Sequence, residues 1–482
     1  MNPSKGNAGI DFDRCKRAHP YWLSTIRSYC LPRVPDSGPP LLVSRIATAA
    51  AALKQGNLEE FGSTIAALMD MEETKQEGLA ASWIHAMRAL ALAMGGRLHE
   101  ARRCSALSLA WPGAPAQWGY NKGVIEVRLG HIAEAVRAFR MAVEIEPSLG
   151  QSWAALALIF ALARADNDAE EAARMARSLG TTVGNDLVGL SLMQATYRLG
   201  KPMEGAFYFA PGDRSSTTAI QNALSGLPAI DSRQLVHSDD GRPIVFVACD
   251  NTYLNEHAIP LIWSLAESKS ACSVHLHLMN PEGPLEEVRR ALPPEGLSPA
   301  VVISSEVATM QNRGQQVIYY SCVRFCRLYQ LATQNPHRTI VFLDADMLVR
   351  KDIATFPGLA LPGKEIGLRH CIDDPMWQEI SAAAGWIKAS PLGIRFLSDV
   401  ALCILENLAR GEARWFLDQF ALFVAWDRFA HKHAIHLCDQ DYVTDHHYTD
   451  DSLIWGAGND KRADTRYSEF KRYLSAKYRN AG

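Results

Sequence analysis

Thr339-Ile340-Val341-Phe342-Leu343-Asp344-Ala345-Asp346 decides how this chain is read. A short apolar run, rich in β-branched and aromatic residues, ends abruptly in two carboxylates one residue apart. The run is too short for a helix and suits a buried strand. Along a regular strand alternate side chains share a face, but where a strand bends into a loop both carboxylates can converge on one cation. Hard divalent ions such as Mn²⁺ or Mg²⁺ take oxygen ligands of this kind together with substrate phosphates. Asp344 and Asp346 are the expected metal ligands.

The surroundings of this stretch alternate in type. Ile244–Cys249 is a short apolar run bounded by Pro243 and Asp250-Asn251, and helical periodicity follows over about 256–268. SVHLHLM (273–279), PLEEVRRAL (284–292), PAVVIS (299–304) and a helical stretch near Tyr319–Ala332 come next. Strands alternating with helices predict an α/β domain with a parallel sheet and active residues at the strand carboxyl ends. An early Gly-rich phosphate loop is absent from ACDNTYL (248–254), which argues against nucleotidyl or phosphoryl transfer.

The first half is different: Ala-rich, helical in period and almost without strand signal. With Gly130 as position 15 of a 34-residue unit starting near Ala116, Gly123 falls at 8, Ala135 at 20, Phe139 at 24, Ala142 at 27 and Pro147 at 32. Neighbouring units start near Gly150 (Trp153, Leu156, Ala157, Phe160) and near Ser82 (Gly96, Ala101), with a weaker one near Leu42 (Gly56). Small residues let paired helices approach, an aromatic fills the next gap and proline ends the pair. This pattern resembles tetratricopeptide repeats and implies an all-α solenoid whose concave face binds a protein partner. The expected layout is a segment 1–41, helical repeats 42–208, a Gly/Pro/Ser/Asp-rich connector 209–242, the α/β domain 243–462 and a basic helix 463–482.

Bulk properties narrow the function. A net charge of −3 gives no global field for nucleic acid or membranes. The ten cysteines form no C-x-x-C pair, so reduced thiols are expected rather than a disulfide framework or zinc site. The opening MNPSKGNAGIDFDRCKR lacks an apolar core for a secretory signal, and no apolar run reaches the ~18 residues of a spanning helix. A cytoplasmic protein is expected. The tail carries Arg466, Lys471, Arg472, Lys477 and Arg479, with Tyr467, Phe470 and Leu474 at helical spacing. It reads either as a docked terminal helix or as a peripheral contact with an anionic membrane.

Taken in order, the motifs of 243–462 resemble glycosyltransferase family 8, a group of GT-A-fold, Rossmann-like nucleotide-diphospho-sugar transferases. In VFVACDNTYL (245–254) the resemblance implies that Ala248 and Asp250 contact uracil or ribose and that Tyr253 stacks on the base. In YYSCVRFCRLYQL (319–331) it implies an arginine facing the donor, Arg324 being the better match and Arg327 the alternative. AAAGWIKAS (382–390) resembles the family's N-A-G segment at the donor sugar, with Ala383 in place of Asn and with Ala384 and Gly385 kept. WFLDQFAL (415–422) supplies Asp418 for sugar hydroxyls and Gln419 beside the anomeric carbon. WGAGNDK (455–461) matches H-x-x-G-x-x-K at Gly458 and Lys461, the diphosphate-gripping lysine. Trp455 stands where the family has a metal-binding histidine, so the metal has two carboxylates only, or His446, His447, Asp450 or Asp451 substitutes, or metal dependence is weakened. The resemblance implies a UDP-sugar donor, Mn²⁺ or Mg²⁺, retention of configuration, and a glycan, lipid-linked saccharide or protein acceptor in glycan biosynthesis. The rival reading is a repeat-based adaptor with a catalytically degenerate sugar-nucleotide domain.

Overall fold

A computed structural model describes residues 10–18, 20–26, 28–31, 40–55, 57–69, 79–182, 186–209, 217–283, 285–292, 299–310, 312–457 and 465–479. The chain divides into two compact units, residues 1–206 with 373–375, and residues 207–372 with 376–482. Gly56, Gly458 and Lys461 lie outside the described residues.

The first unit is all helix. Its central hairpins pair Leu79–Met94 with Leu98–Ser108, Ala116–Arg128 with Ile132–Ile145, and Gly150–Leu162 with Asp166–Ser178. The second helices therefore begin at Leu98, Ile132 and Asp166, at 34-residue spacing. Left-handed residues two positions earlier, Gly96, Gly130 and Arg164, make each reversal. Ala101, Ala135 and Ala169 recur at the same spacing and are fully buried, as close helix approach demands. A β-carbon added at Gly123 would meet the Phe139 ring at 2.4 Å, so the aromatic of one helix occupies the gap left by the glycine of the other.

The second unit is a mixed α/β fold. Its strands are β1 Ile244–Cys249, β2 Ser273–Met279, β3 Val301–Glu306, β4 Thr339–Leu343, β5 Met347–Val349, β6 Ile366–His370, β7 Ile380–Lys388, β8 Ile435–Asp439 and β9 Ile454–Gly456. Seven form one sheet in the order β3-β2-β1-β4-β7-β6-β8, and β5 pairs with β9 apart. Apolar runs mark β1 and β4, as expected for strands covered on both faces, whereas β2 alternates Ser273, His275 and His277 with apolar residues and is nevertheless buried along its whole length. The expected all-parallel sheet needs one correction. β7 runs antiparallel between β4 and β6. Only nine residues separate β6 from β7, too few for the crossover a parallel pair needs.

Within 209–242, the stretch expected as a connector, Thr217–Leu224 forms a helix. The 207–209 segment is tied down: Asn407 accepts from the Tyr208 N–H and donates to its carbonyl, both at 2.8 Å, and Phe207 stacks on Phe420. The C-terminal helix Thr465–Arg479 is docked on this unit. Tyr467 and Leu474 are buried, and Glu267 accepts from Tyr473, Lys477 and Tyr478. All ten cysteines are free thiols, and no described helix is long and apolar enough to cross a membrane.

The Gly123–Phe139 fit yields a stability prediction. Gly123→Ala gains about 1 kcal/mol of helix propensity but overpacks a fully buried ring, at about 1–3 kcal/mol. Thermal melting should show the variant less stable than wild type. An unchanged or raised Tm would mean that Phe139 yields freely.

Candidate active site

The deciding stretch folds as read: β4 ends at Leu343 and delivers Asp344 to the carboxyl edge of the sheet. Two long helices converge on that edge. Arg313–Gln334 carries Arg324, and Leu417–Arg428 begins one residue before Asp418. The Arg324 guanidinium pairs with Asp344 through Nη1, and through Nη2 donates to Asp418 Oδ2 and to the Ala382 carbonyl, each at 3.2 Å. Its Nε donates to the Ser321 carbonyl of its own helix at 3.0 Å, which fixes the fork. Partners 20, 58 and 94 positions away in sequence are thus tied by one side chain.

Charge follows from this geometry. Burial pushes the Asp344 pKa up to about 6, Arg324 works against the rise, and the neighbouring Asp346 adds to it. Burial also raises Asp418, again opposed by Arg324. For Arg324 burial works to lower the value, but the two aspartates outweigh it and hold the group above its ordinary range. Asp418 Oδ1 accepts from the Gln419 N–H at 2.9 Å. The Gln419 side-chain oxygen is buried with no hydrogen-bond partner among the described residues. A buried acceptor left unmet is costly and signals a ligand donor.

The other expected residues fall as follows. Ala248 lies on β1, and Asp250 caps the turn after it, its Oδ1 accepting from the Tyr253 N–H at 2.9 Å. Tyr253 is exposed at the start of a π-helical turn, Leu254–Ala258, an irregularity frequent at functional sites. Ala384 and Gly385 pair with Leu343 and Phe342 inside the sheet. At Gly385 a β-carbon would meet Phe342 at 2.4 Å and the Gly367 carbonyl at 2.6 Å, so this glycine serves strand packing. The backbone just before them reaches the edge instead: Ala383 O accepts from the Asp344 N–H at 2.8 Å.

Sequence reasoning missed the support of Asp346. Its carbonyl accepts from the Ala457 N–H at 3.1 Å and from the Tyr467 hydroxyl at 2.9 Å. Tyr467 had shown only as one apolar position of the tail helix. Trp455 is buried, donating Nε1–H to the Thr449 carbonyl at 2.8 Å. The Arg350 guanidinium lies over its ring at 4.1 Å and over Phe470 at 4.2 Å. It is a packing residue and no ligand.

Among the substitutes, His446 Nδ1 lies 3.2 Å from the Gly456 carbonyl, the His447 N–H donates to Asp445, and Asp450 pairs with Arg466. No group of three or more His, Cys, Asp or Glu able to hold a metal exists among the described residues. The donor set at Asp344 and Asp346 fits a hard cation only as two carboxylates, with diphosphate oxygens and water completing the shell.

No known protein family's profile matches the chain, and no curated protein matches it. Several solved glycosyltransferase structures are similar. A mutant of the Thermobaculum terrenum O-GlcNAc transferase is 13% identical over 58% of this chain and 43% of its own, with a TM-score of 0.25. GlyE of Streptococcus pneumoniae TIGR4 is 15% identical over 50% and 64%, with a TM-score of 0.34. An active-site mutant of LgtC is 12% identical over 48% and 95%, with a TM-score of 0.34. This chain thus spans less than two thirds of the first two.

Arg327, the alternative donor arginine, lies one turn beyond Arg324 and points into a buried polar network. Its Nε donates to Glu306 at 2.6 Å and its Nη2 to the Pro228 carbonyl at 2.8 Å. His277 Nε2 lies 3.7 Å from Glu306, and Ser304 joins His277 to His275, both at 2.8 Å. His275 meets His237 at 3.1 Å.

This network should be acid-sensitive. Burial, with help from Arg338, lowers His237 from 6.5 to about 4 and keeps it neutral in the fold. Between those values the unfolded chain binds the extra proton, so stability is full above 6.5 and falls as pH drops towards 4. His237 alone should cost on the order of 2 kcal/mol between pH 7 and pH 5. Urea midpoints against pH test this: the slope should shrink in His237→Gln, and a flat wild-type profile would contradict it.

Proposed function

We propose that the second unit is a GT-A-type glycosyltransferase that moves a hexose from a UDP-sugar, with retention of configuration, to a glycan, lipid-linked saccharide or protein acceptor. The observation that carries this reading is the Arg324 bridge between Asp344 and Asp418, set beside the unpartnered oxygen of Gln419. Carboxylates held apart by one cation offer free lone pairs to sugar hydroxyls in a fixed geometry. An idle buried acceptor next to them suits a sugar that brings its own O–H groups. Tyr253, exposed at the end of β1, offers a flat face for a base.

In this reading Arg324 keeps Asp344 and Asp418 ionised and aimed, and Asp418 orients the sugar ring. Gln419 presents its oxygen near the anomeric carbon and stabilises positive charge developing there. The bond from the anomeric carbon to the diphosphate oxygen breaks, and its electron pair leaves with UDP. The acceptor oxygen bonds to the same face, and its proton passes to the departing phosphate oxygen. A divalent ion held by Asp344 and Asp346 would neutralise charge on the diphosphate. Lys461 is proposed to assist, and the helical hairpins are proposed to form a tetratricopeptide-like array that recruits the acceptor or a partner.

A second reading is favoured by the burial of Trp455 at the position expected for a metal-binding histidine. It makes the repeats an adaptor and the α/β unit a sugar-nucleotide-binding module without turnover.

A melting screen tests the donor site. UDP-hexoses with Mn²⁺, at a hundredfold excess over Kd, should stabilise the protein by about 2.7 kcal/mol. That is roughly 5–10 °C for a unit of this size. GDP- and CMP-sugars should not, and Asp346→Ala should abolish the shift. A shift that survives Asp346→Ala, or the absence of any shift with UDP-hexoses, contradicts the proposal.

A further inference from the structure

We infer that the face of the Ala116–Arg128 helix around Asn121 is a docking site for an extended polypeptide, and that residues 28–31 occupy it as an internal ligand which a partner displaces. This narrows the recruiting role proposed for the hairpins and is independent of the transfer chemistry.

The first observation is a two-point grip on backbone. Asn121 Oδ1 accepts from the Cys30 N–H at 2.8 Å, and Asn121 Nδ2 donates to the Cys30 carbonyl at 2.7 Å. One residue presents both groups to the same side only in extended backbone, as in a closely spaced antiparallel strand pair. The carboxamide uses its acceptor and a donor on main chain alone, so the grip reads a polypeptide whatever side chain sits there.

The second is what the grip would otherwise leave. Asn121 is 4% exposed, and among the described residues Cys30 is the one partner of its side chain. Asparagine is also a poor helix former, yet it stands inside a helix. Without an extended chain across it, a buried amide loses both hydrogen bonds at once. The site therefore calls for a peptide backbone, from residues 28–31 or from another chain.

The third lies in the flanks. Residues 29 and 31 share one side of an extended segment. Tyr29 and Leu31 both pack against the cluster that holds Trp83, Met87, Leu90 and Trp118. Arg128 Nη1 donates to the Tyr29 hydroxyl at 2.7 Å and to the Ala93 carbonyl at 2.8 Å. The partner that fits carries a bulky apolar or aromatic residue on each side of the gripped one.

The internal ligand is held lightly. Ser28 is exposed, and Tyr29, Cys30 and Leu31 are half-buried and outside any helix or strand. Just upstream, buried Trp22 and Ile26 anchor the chain. The segment thus competes from a tethered position, at a high effective concentration. Cys30 also reports its own seating. Nine of the ten cysteines are buried and Cys30 is partly exposed. Burial pushes its thiol up to about 11, with Glu146 adding to the rise, which slows alkylation while the segment is seated.

The test uses the full-length protein and a fluorescein-labelled peptide of residues 26–33 carrying Cys30→Ser. In the protein, Cys30→Pro removes the gripped N–H and frees the face. By fluorescence anisotropy the peptide should bind Cys30→Pro at least tenfold more tightly than wild type, and adding Asn121→Ala should remove the gain. A peptide carrying Cys30→Pro should bind neither protein. In wild type, excess peptide should speed iodoacetamide alkylation of Cys30 at least threefold, read by mass spectrometry. That arm needs no variant and decides alone if circular dichroism shows Cys30→Pro unfolded. Equal affinity of wild type and folded Cys30→Pro overturns the inference, as does an alkylation rate that the peptide leaves unchanged. Binding that survives Asn121→Ala overturns this site while keeping the hairpins as a recruiting surface. No binding by any of the proteins overturns both.

Discussion

One buried guanidinium organises the candidate site. Arg324 stands between Asp344 at the end of β4 and Asp418 at the head of the Leu417–Arg428 helix. Without it two carboxylates would face each other in a poorly solvated place, where like charges force one to take up a proton. With it a cation stands between them and opposes the rise that burial gives each carboxyl, and neither can drift from the other. Removing one partner from such a buried arrangement typically costs about 3–5 kcal/mol, because it strands a charge. The geometry of the edge is thereby tied to the fold: a strand and two helices meet correctly or the charges are left uncompensated.

The rest of the second unit serves that meeting. The antiparallel course of β7 turns the carbonyls of Ala382 and Ala383 towards Arg324 and Asp344. The fully buried Arg327–Glu306 pair sits one turn further along the helix that carries Arg324. A buried pair of this kind adds little net stability, but it penalises any rotation of the helix that would break it. Below β4, Asp346 is held through its carbonyl by Ala457 and Tyr467, so the C-terminal helix reaches the backbone of the D-x-D turn. The Trp455–Arg350–Phe470 stack secures the same helix from beneath.

What the sequence made legible follows from which forces are local. Ile244–Cys249 was readable to the residue because a continuous apolar run bounded by polar residues has one plausible fate, a covered strand, and Ser273–Met279 because its apolar residues alternate with the two-residue period of a strand. The 34-residue spacing was readable because close helix approach demands small residues at fixed places, and Ala101, Ala135 and Ala169 are indeed fully buried. The direction of β7 was not readable, since the same residues pair either way and only the length of the connection decides. Arg324 and Arg327 are chemically identical and one turn apart, so their choice of partner needed Glu306 and Asp344 in space. Tyr467 was hidden for a similar reason: its ring obeys the helical apolar pattern, and only its hydroxyl, 121 residues from its partner, does otherwise.

The central claim is that Arg324 assembles a working donor site from Asp344 and Asp418. The most direct measurement is UDP release from UDP-hexose by wild type and by Arg324→Lys, with Mn²⁺ and water as the only acceptor. Lysine keeps the charge but lacks the fork that reaches two carboxylates at once. Slow release by wild type, reduced at least tenfold in Arg324→Lys at a temperature where circular dichroism shows the variant folded, is the predicted result. Equal release by the two proteins, or none by wild type with any UDP-hexose, would contradict the account.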